Sequence, residues 1–123
     1  MNILLIEPDA QLGDIYSSAL QRAGHKVDWR RDAQDAIASA DDTRPDVVIL
    51  ELQLARHNGV EFLYEFRSYS DWQDIPVILQ TSALDLPAGA DLLERLGVRA
   101  VHYKPQTTLA ELVTSVERLT VSV

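Results

Sequence analysis

The sequence predicts an α/β domain in which a buried parallel sheet is covered by helices on both faces. Two observations predict it. Short apolar runs alternate five times with longer segments whose apolar residues recur at helical spacing. The apolar runs are also continuous, the pattern of strands buried on both sides, and strict β–α alternation builds parallel sheets.

The elements follow in order. Asn2 to Ile6 is a continuous apolar run closed by a Pro-Asp turn signal, and reads as the first strand. Leu12, Ile15, Tyr16, Ala19, Leu20 and Ala23 repeat at helical spacing, with Gly24 as the stop. His25 to Trp29 is the second strand. Asp32 suits a helix N-cap, with Ala33, Ala36, Ile37 and Ala40 as the apolar stripe behind it. The segment Asp41-Asp42-Thr43-Arg44-Pro45 breaks that helix, and Val47-Val48-Ile49-Leu50 is the most strand-like run in the chain. Asn58-Gly59 opens a helix through about Arg67. Pro76 to Leu79 is the fourth strand, with proline at its start, where no needed donor is lost. A helix over Ala88 to Leu96 stops at Gly97, Val98 to Tyr103 is the fifth strand, and Thr108 to Leu119 the last helix.

Composition narrows the function. The 123 residues are expected to form one domain over 1–123, large enough to bury roughly two-thirds of its unfolded surface without metal or disulfide staples. Cysteine is absent, which fits a reducing, cytoplasmic setting. No apolar run approaches the roughly 20 residues of a membrane span, and the N-terminus lacks the form of a signal peptide. The net charge is −8, and Arg30-Arg31 is the only adjacent basic pair, so direct nucleic-acid binding is not expected. The chain stops at Val123, just past the last helix; an effector domain is therefore not expected within it, whether it stands alone or is part of a longer regulator.

In open α/β sheets the functional crevice lies beyond the carboxyl ends of the strands. Glu7 and Asp9 follow strand one, Glu51 strand three, Thr81 strand four, and Lys104-Pro105 strand five. They are expected to converge as a carboxylate cluster with a hydroxyl and an ammonium. Clustered carboxylates raise one another's pKa, a neighbouring lysine lowers it, and Mg²⁺ favours such oxygen donors.

These residues carry a family resemblance. Asp46 to Leu54 followed by Asn58-Gly59-Val60 resembles the third strand and loop of response-regulator receiver domains. Asp74 to Leu79 ending at Thr81, and Lys104-Pro105, resemble their later motifs. The order and spacing agree across essentially the whole chain. The resemblance implies a flavodoxin-like (CheY-like) fold, strand order 2-1-3-4-5, with five helices. It implies that an aspartate after strand three takes a phosphoryl group from a sensor kinase. Two acidic residues after strand one, the acceptor and a carbonyl two residues later would hold Mg²⁺. The lysine and threonine would bond the phosphoryl oxygens. On this chain Glu7 fills the first acidic position, Gln53 offers the carbonyl, and Thr81 and Lys104 match.

Two departures bear on chemistry. Glu51 stands at the acceptor position, with its carboxylate about 1.5 Å farther from the backbone than an aspartate's, and a misplacement near 1 Å costs in-line transfer about a hundredfold. Pro8 stands at the second acidic position and offers no side-chain ligand, while Asp9 beside it is suited to capping the first helix. Mg²⁺ is therefore doubtful, restricted to weak binding at Glu7 and Glu51. Glu51 could reach Lys104, where a pair at about 4 Å is worth about 4 kcal/mol at an effective dielectric near 20, before desolvation. Whether that pair imitates the phosphorylated state or merely ties the domain together stays open.

Other departures are smaller. Ala55 replaces a common proline. Val101 holds the position of a switching aromatic, and Tyr103 shares its strand face, with packing as its expected role. Ser82 is expected to satisfy local backbone. His25, His57 and His102 have no metal-ligand spacing, and Trp29 and Trp72 read as packing or loop anchors. Gly13 and Gly24 do not form a nucleotide fingerprint.

The resulting expectation is a non-enzymatic, phosphorylation-independent protein-interaction module. Its partner would be a sensor kinase, an effector or a second copy. The resemblance implies an output face on helix four, strand five and helix five, here Leu92, Leu93, Arg95, Val101, Tyr103, Glu111, Thr114 and Arg118. The alternatives are a weak Mg²⁺-dependent phosphoacceptor, or a small-ligand binder or enzyme on the same fold. The latter requires an apolar pocket with convergent polar groups.

Overall fold

The computed structural model describes residues 1–54, 58–83 and 89–120. Its elements run β1 (Asn2–Ile6), α1 (Ala10–Arg22), β2 (Lys26–Arg30), α2 (Ala33–Asp42), β3 (Val47–Leu50), α3 (Gly59–Ser68), β4 (Val77–Thr81), α4 (Gly89–Arg95), β5 (Val98–Tyr103) and α5 (Leu109–Thr120). Single 3₁₀ turns at Ser70–Trp72 and Lys104–Gln106 were not foreseen. The five strands are parallel in the order β2-β1-β3-β4-β5. Chain connectivity reverses direction between β1 and β3, and the crevice belongs at their carboxyl ends.

Strand alternation divides the core into two layers. Leu4, Ile6, Val48, Leu50, Val77 and Leu79 face α2, α3 and α4, where Phe62, Leu63 and Phe66 fill the space. Ile3, Leu5, Val47, Ile49 and Ile78 face α1 and α5 and meet Tyr16, Leu20, Leu112 and Val116. Phe62 and Phe66 stack at 5.3 Å, and Trp72 stacks on Phe66 at 5.1 Å. Burial of each such side chain is worth roughly 1.5–3 kcal/mol, so these rings dominate the attachment of α3.

Side-chain caps set the helix starts. Asp9, Asp32 and Asn58 accept from the N–H groups of Leu12, Asp35 and Glu61 respectively. Thr108 and Glu111 form a reciprocal capping box at α5, each side chain accepting from the other's backbone N–H.

Several expectations need correction. β2 begins and ends one residue later than predicted, because Glu7 N–H donates to the Arg30 carbonyl and draws that residue into the strand. β4 runs from Val77 to Thr81, beyond the Leu79 expected, since Gln80 and Thr81 pair with His102 and Tyr103. α1 buries a narrower stripe than its periodicity suggests. Gly13, Tyr16 and Leu20 are buried, whereas Ile15 is exposed. Leu93 faces the core at 2 % exposure, so it cannot belong to an accessible output face, and Leu92 packs partly against the same core. The predicted α4 start at Ala88 lies outside the described residues.

One polar anchor had no sequence signal. The Arg67 guanidinium donates to three carbonyls, those of Leu96 (2.7 Å), Trp72 (2.6 Å) and Ile75 (2.6 Å). Burial pulls its pKa below the usual guanidinium value. It joins α3, the turn before β4 and the end of α4. Gly97, at φ +83°, leaves room for it, since a Cβ there would overlap the guanidinium.

Candidate functional site

The crevice is assembled by backbone before any side chain contributes. Glu51 N–H donates to the Ile6 carbonyl at 3.0 Å, tying the end of β3 to the end of β1. Glu7 and Glu51 therefore leave adjacent strands at the same level, and both are buried, at 1 % and 2 % exposure. Two carboxylates this deep require compensating charge or donors. Lys104 at the end of β5 supplies the charge: its ammonium lies between them, 2.6 Å from Glu7 Oε1 and 2.7 Å from Glu51 Oε1.

The remaining charge is met by hydrogen bonds. Glu7 Oε2 accepts from Asp9 N–H at 3.0 Å. Glu51 Oε1 also accepts from Ser82 N–H (3.1 Å), and the Ser82 hydroxyl oxygen lies 3.2 Å from it. Its Oε2 accepts from Gln53 N–H (3.2 Å) and the Thr81 hydroxyl. Burial pushes the Glu51 carboxyl up, but the bonds from Lys104, Thr81, Gln53 and Ser82 outweigh it and hold the pKa below the usual carboxylate value. Burial likewise pulls Lys104 down, and its two carboxylate partners leave it raised overall. Both groups are thus charged at neutral pH.

The loop carrying Glu7, Pro8 and Asp9 is pinned from the β2 side. The Trp29 indole N–H donates to the Glu7 carbonyl at 2.9 Å, and Arg31 donates to the Pro8 carbonyl through Nε (3.0 Å) and Nη2 (2.8 Å). Trp29 packs against α1 at Gly13, where a Cβ would overlap its ring. Asp9 is exposed and caps α1, its carboxylate accepting from Leu12 N–H. Across the crevice mouth, the Ser82 hydroxyl donates to Gln53 Oε1 at 2.8 Å.

Glu7, Glu51, Thr81 and Lys104 are thus brought together, with Gln53 at the rim, while Pro8 contributes backbone alone. Sequence reasoning missed the roles of Ser82 and Arg31, whereas Trp29 takes one of the two roles expected of it, that of a loop anchor. Ser82, expected to serve local backbone, bonds Glu51 and Gln53. Trp29 and Arg31 act on the loop through its carbonyls. The available signal was the β1–β2 pairing, which places residues after Trp29 beside those after Ile6.

The output-face candidates are spread more widely. Val101 is 48 % exposed, Arg95, Glu111, Thr114 and Arg118 are exposed, and Tyr103 is half-buried on the face shared with Val101. Among the histidines, His25 has its nearest carboxylate, Glu117, at 4.0 Å. His102 Nε2 lies 2.6 Å from the Ser115 hydroxyl, and burial lowers its pKa. Ser115 sits in the body of α5, where its own backbone N–H is used by the helix and is not free to hold an oxyanion. His57 and Ala55 lie outside the described residues. A cleft lined by Asn2, Lys26, Asp28, Ser39 and Thr43, of about 190 Å³, opens at the opposite end of the sheet from the crevice.

This fold, with acidic, hydroxyl and lysine side chains gathered at the sheet's carboxyl edge, defines a receiver of the two-component type. Residues 3–117 match the response regulator receiver domain family, and the chain belongs to it. Among curated relatives, the transcriptional regulatory protein QseB of Haemophilus influenzae is 37 % identical over 98 residues, covering 74 % of this chain and 43 % of that protein. The swarming motility regulation protein RssB of Serratia marcescens is 37 % identical over 82 residues, covering 67 % of this chain and 36 % of that protein. The chain therefore spans less than half the length of these two relatives. Among solved structures, the non-phosphorylated HemR receiver domain of Leptospira biflexa superposes with a TM-score of 0.83 at 26 % identity, over 99 % of this chain and 95 % of that one. Chemotaxis protein CheY4 of Vibrio cholerae shares the fold, with a TM-score of 0.86 at 24 % identity over 96 % and 97 % of the two chains.

The Mg²⁺ that the family implies does not fit the donor set as it stands. Glu51 accepts from the Lys104 ammonium, the Thr81 hydroxyl and the N–H groups of Gln53 and Ser82, and these four bonds fill the about four lone-pair sites of a carboxylate. The Lys104 ammonium occupies the point on which Glu7 and Glu51 converge. Among the described residues, no three Asp, Glu, His or Cys side chains are grouped to hold a metal.

Proposed function

We propose that this receiver acts as a protein-interaction module whose state does not depend on phosphorylation. One observation carries the reading: the Glu51 carboxylate already engages Lys104 and Thr81, the two side chains that the family resemblance assigns to a phosphoryl group. An acceptor saturated by hydrogen bonds and paired with an ammonium is a poor nucleophile, because those partners must be released before it can attack.

The partner is another protein. The relatives are named as transcriptional regulators, which supports an effector that binds nucleic acid on this domain's behalf, since a net charge of −8 opposes direct contact with phosphate backbones. Its surface for that effector, a kinase or a second copy is the α4–β5–α5 side, through Arg95, Val101, Tyr103, Glu111, Thr114 and Arg118. The setting is cytoplasmic in this reading. Among the described residues no helix is long and apolar enough to cross a membrane.

Incubation with acetyl phosphate and Mg²⁺, followed by intact-mass measurement, tests the proposal. The expected result is no gain of about 80 Da, the mass of one phosphoryl group. A stable adduct that disappears in Glu51→Ala would overturn it.

A further inference from the structure

We propose that the cleft between α2 and the first two strands, at the opposite end of the sheet from the crevice, binds a small zwitterion: an α-amino acid with a compact aliphatic side chain. The site goes beyond the reading of the crevice and uses none of its residues.

The cleft measures about 190 Å³ and is shaped by β1, β2 and the end of α2. Its apolar surface comes from Leu4 and Pro45, both buried. Its polar surface carries both signs of charge, through Lys26 and Asp28, and adds the hydroxyls of Ser39 and Thr43. A few polar groups around an apolar patch are what fixes the orientation of a bound molecule. The volume falls below the roughly 300–1,000 Å³ of drug-sized sites, so the occupant is small.

One wall is built and the other is open. Asp28 Oδ1 accepts from Arg30 Nε at 2.8 Å, and Oδ2 accepts from the Ser39 hydroxyl. Ser39 is 4 % exposed and shares the buried face of α2 with Ala36 and Ala40, where an alanine would pack without needing a partner. These two bonds fix the carboxylate and leave about two of its four lone-pair sites open. Facing it, the side chains of Lys26 and Thr43 make no hydrogen bond or ion pair with another described residue.

Charge selects the ligand. A simple anion would meet Lys26, but also Asp28 and the negative end of α2, which closes on Asp41-Asp42 and has no basic residue in its last turn. A simple cation would meet an Asp28 already compensated by Arg30, and Lys26 would repel it. A molecule with a carboxylate and an ammonium on the same carbon satisfies both walls. Its carboxylate goes to Lys26 and Thr43, its ammonium to Asp28 and the end of α2, and its aliphatic side chain to Leu4 and Pro45.

Amide NMR of the full chain titrated with L-valine, isobutylamine and isobutyrate tests this. L-Valine is expected to shift the Lys26, Asp28, Ser39 and Thr43 amides saturably, with half-saturation at about 1–10 mM. The two singly charged analogues should need at least about tenfold more. Lys26→Met and Asp28→Asn should each raise the half-saturation for L-valine about tenfold or more. Should Asp28→Asn not fold, Lys26→Met decides, since Lys26 is exposed. No shift of these amides at about 50 mM L-valine would overturn the proposal. An equal response to either analogue, or an unchanged half-saturation in Lys26→Met, would overturn it as well. The two readings fail separately. A phosphoryl adduct at Glu51 would leave the titration as it is, and a silent cleft would leave the crevice as it is.

Discussion

Glu51 carries one methylene more than aspartate, and that methylene takes its carboxylate across the crevice to Lys104 and Thr81. The ion pair must offset the cost of stripping two buried groups of water, so its net value is smaller than its Coulomb energy. Glu51→Gln keeps the shape but leaves Lys104 with Glu7 alone. It should lower stability by about 1–3 kcal/mol, read from the urea midpoint at neutral pH. The pH dependence has a definite sign. The Glu51 pKa is held below its ordinary 4.5, so its contribution is present above that value and is lost as pH falls through the lower folded value. The Lys104 pKa is raised above 10.5, so its contribution is intact below that value and is lost as pH climbs through the higher folded one. Urea midpoints between about pH 3 and 7 should fall less steeply on the acid side in Glu51→Gln than in wild type.

At the scale of elements, two devices set where the site and its flanking helices sit. The β1–α1 loop is held against β2, and the holding residue fits only because Gly13 has no side chain. Gly13→Ala improves helix propensity by about 1 kcal/mol, yet its methyl would displace the indole. The net change should be a loss of about 1–3 kcal/mol, visible as a lower melting temperature. The other device is Arg67. Lysine keeps its charge but has no planar fork for three carbonyls, so Arg67→Lys should cost about 2–4 kcal/mol in chemical denaturation. The sequence marked Trp29 as a packing residue or loop anchor without showing which carbonyl it holds, and it gave no signal for Arg67. Both join a side chain to backbone carbonyls in other segments, and carbonyls carry no residue-type signal. The sheet was legible, because runs such as Val47-Val48-Ile49-Leu50 admit few alternatives to a strand buried on both faces. Strand ends were not, since at Arg30 and Thr81 the deciding factor is the neighbouring strand's length.

For the whole molecule, parallel β–α order alone locates the crevice, and so Glu7, Glu51, Thr81 and Lys104 could be placed together before any coordinates. What order could not supply is the distribution of bonds among them, including the place of Ser82, because side-chain rotamers decide it. Charge is likewise a global property. With 19 acidic against 11 basic residues, and with Lys104 and Arg67 committed to internal contacts, acidic groups outweigh basic ones on the surface. This chain alone should leave the mobility of duplex DNA unchanged in a gel-shift assay at about 0.1 M salt.

Trp29 finally gives the domain an optical property. Its indole N–H is bonded to the carbonyl of Glu7, one residue from the Pro8 carbonyl that Arg31 holds, while the other tryptophan, Trp72, is buried in the aromatic stack on the far side of the sheet. The chain thus contains one fluorophore wired to the crevice and one reference buried away from it. Any event that reshapes the Glu7 loop should alter the emission of Trp29 while Trp72 stays constant. A Trp72→Phe protein would report on the pocket without a dye.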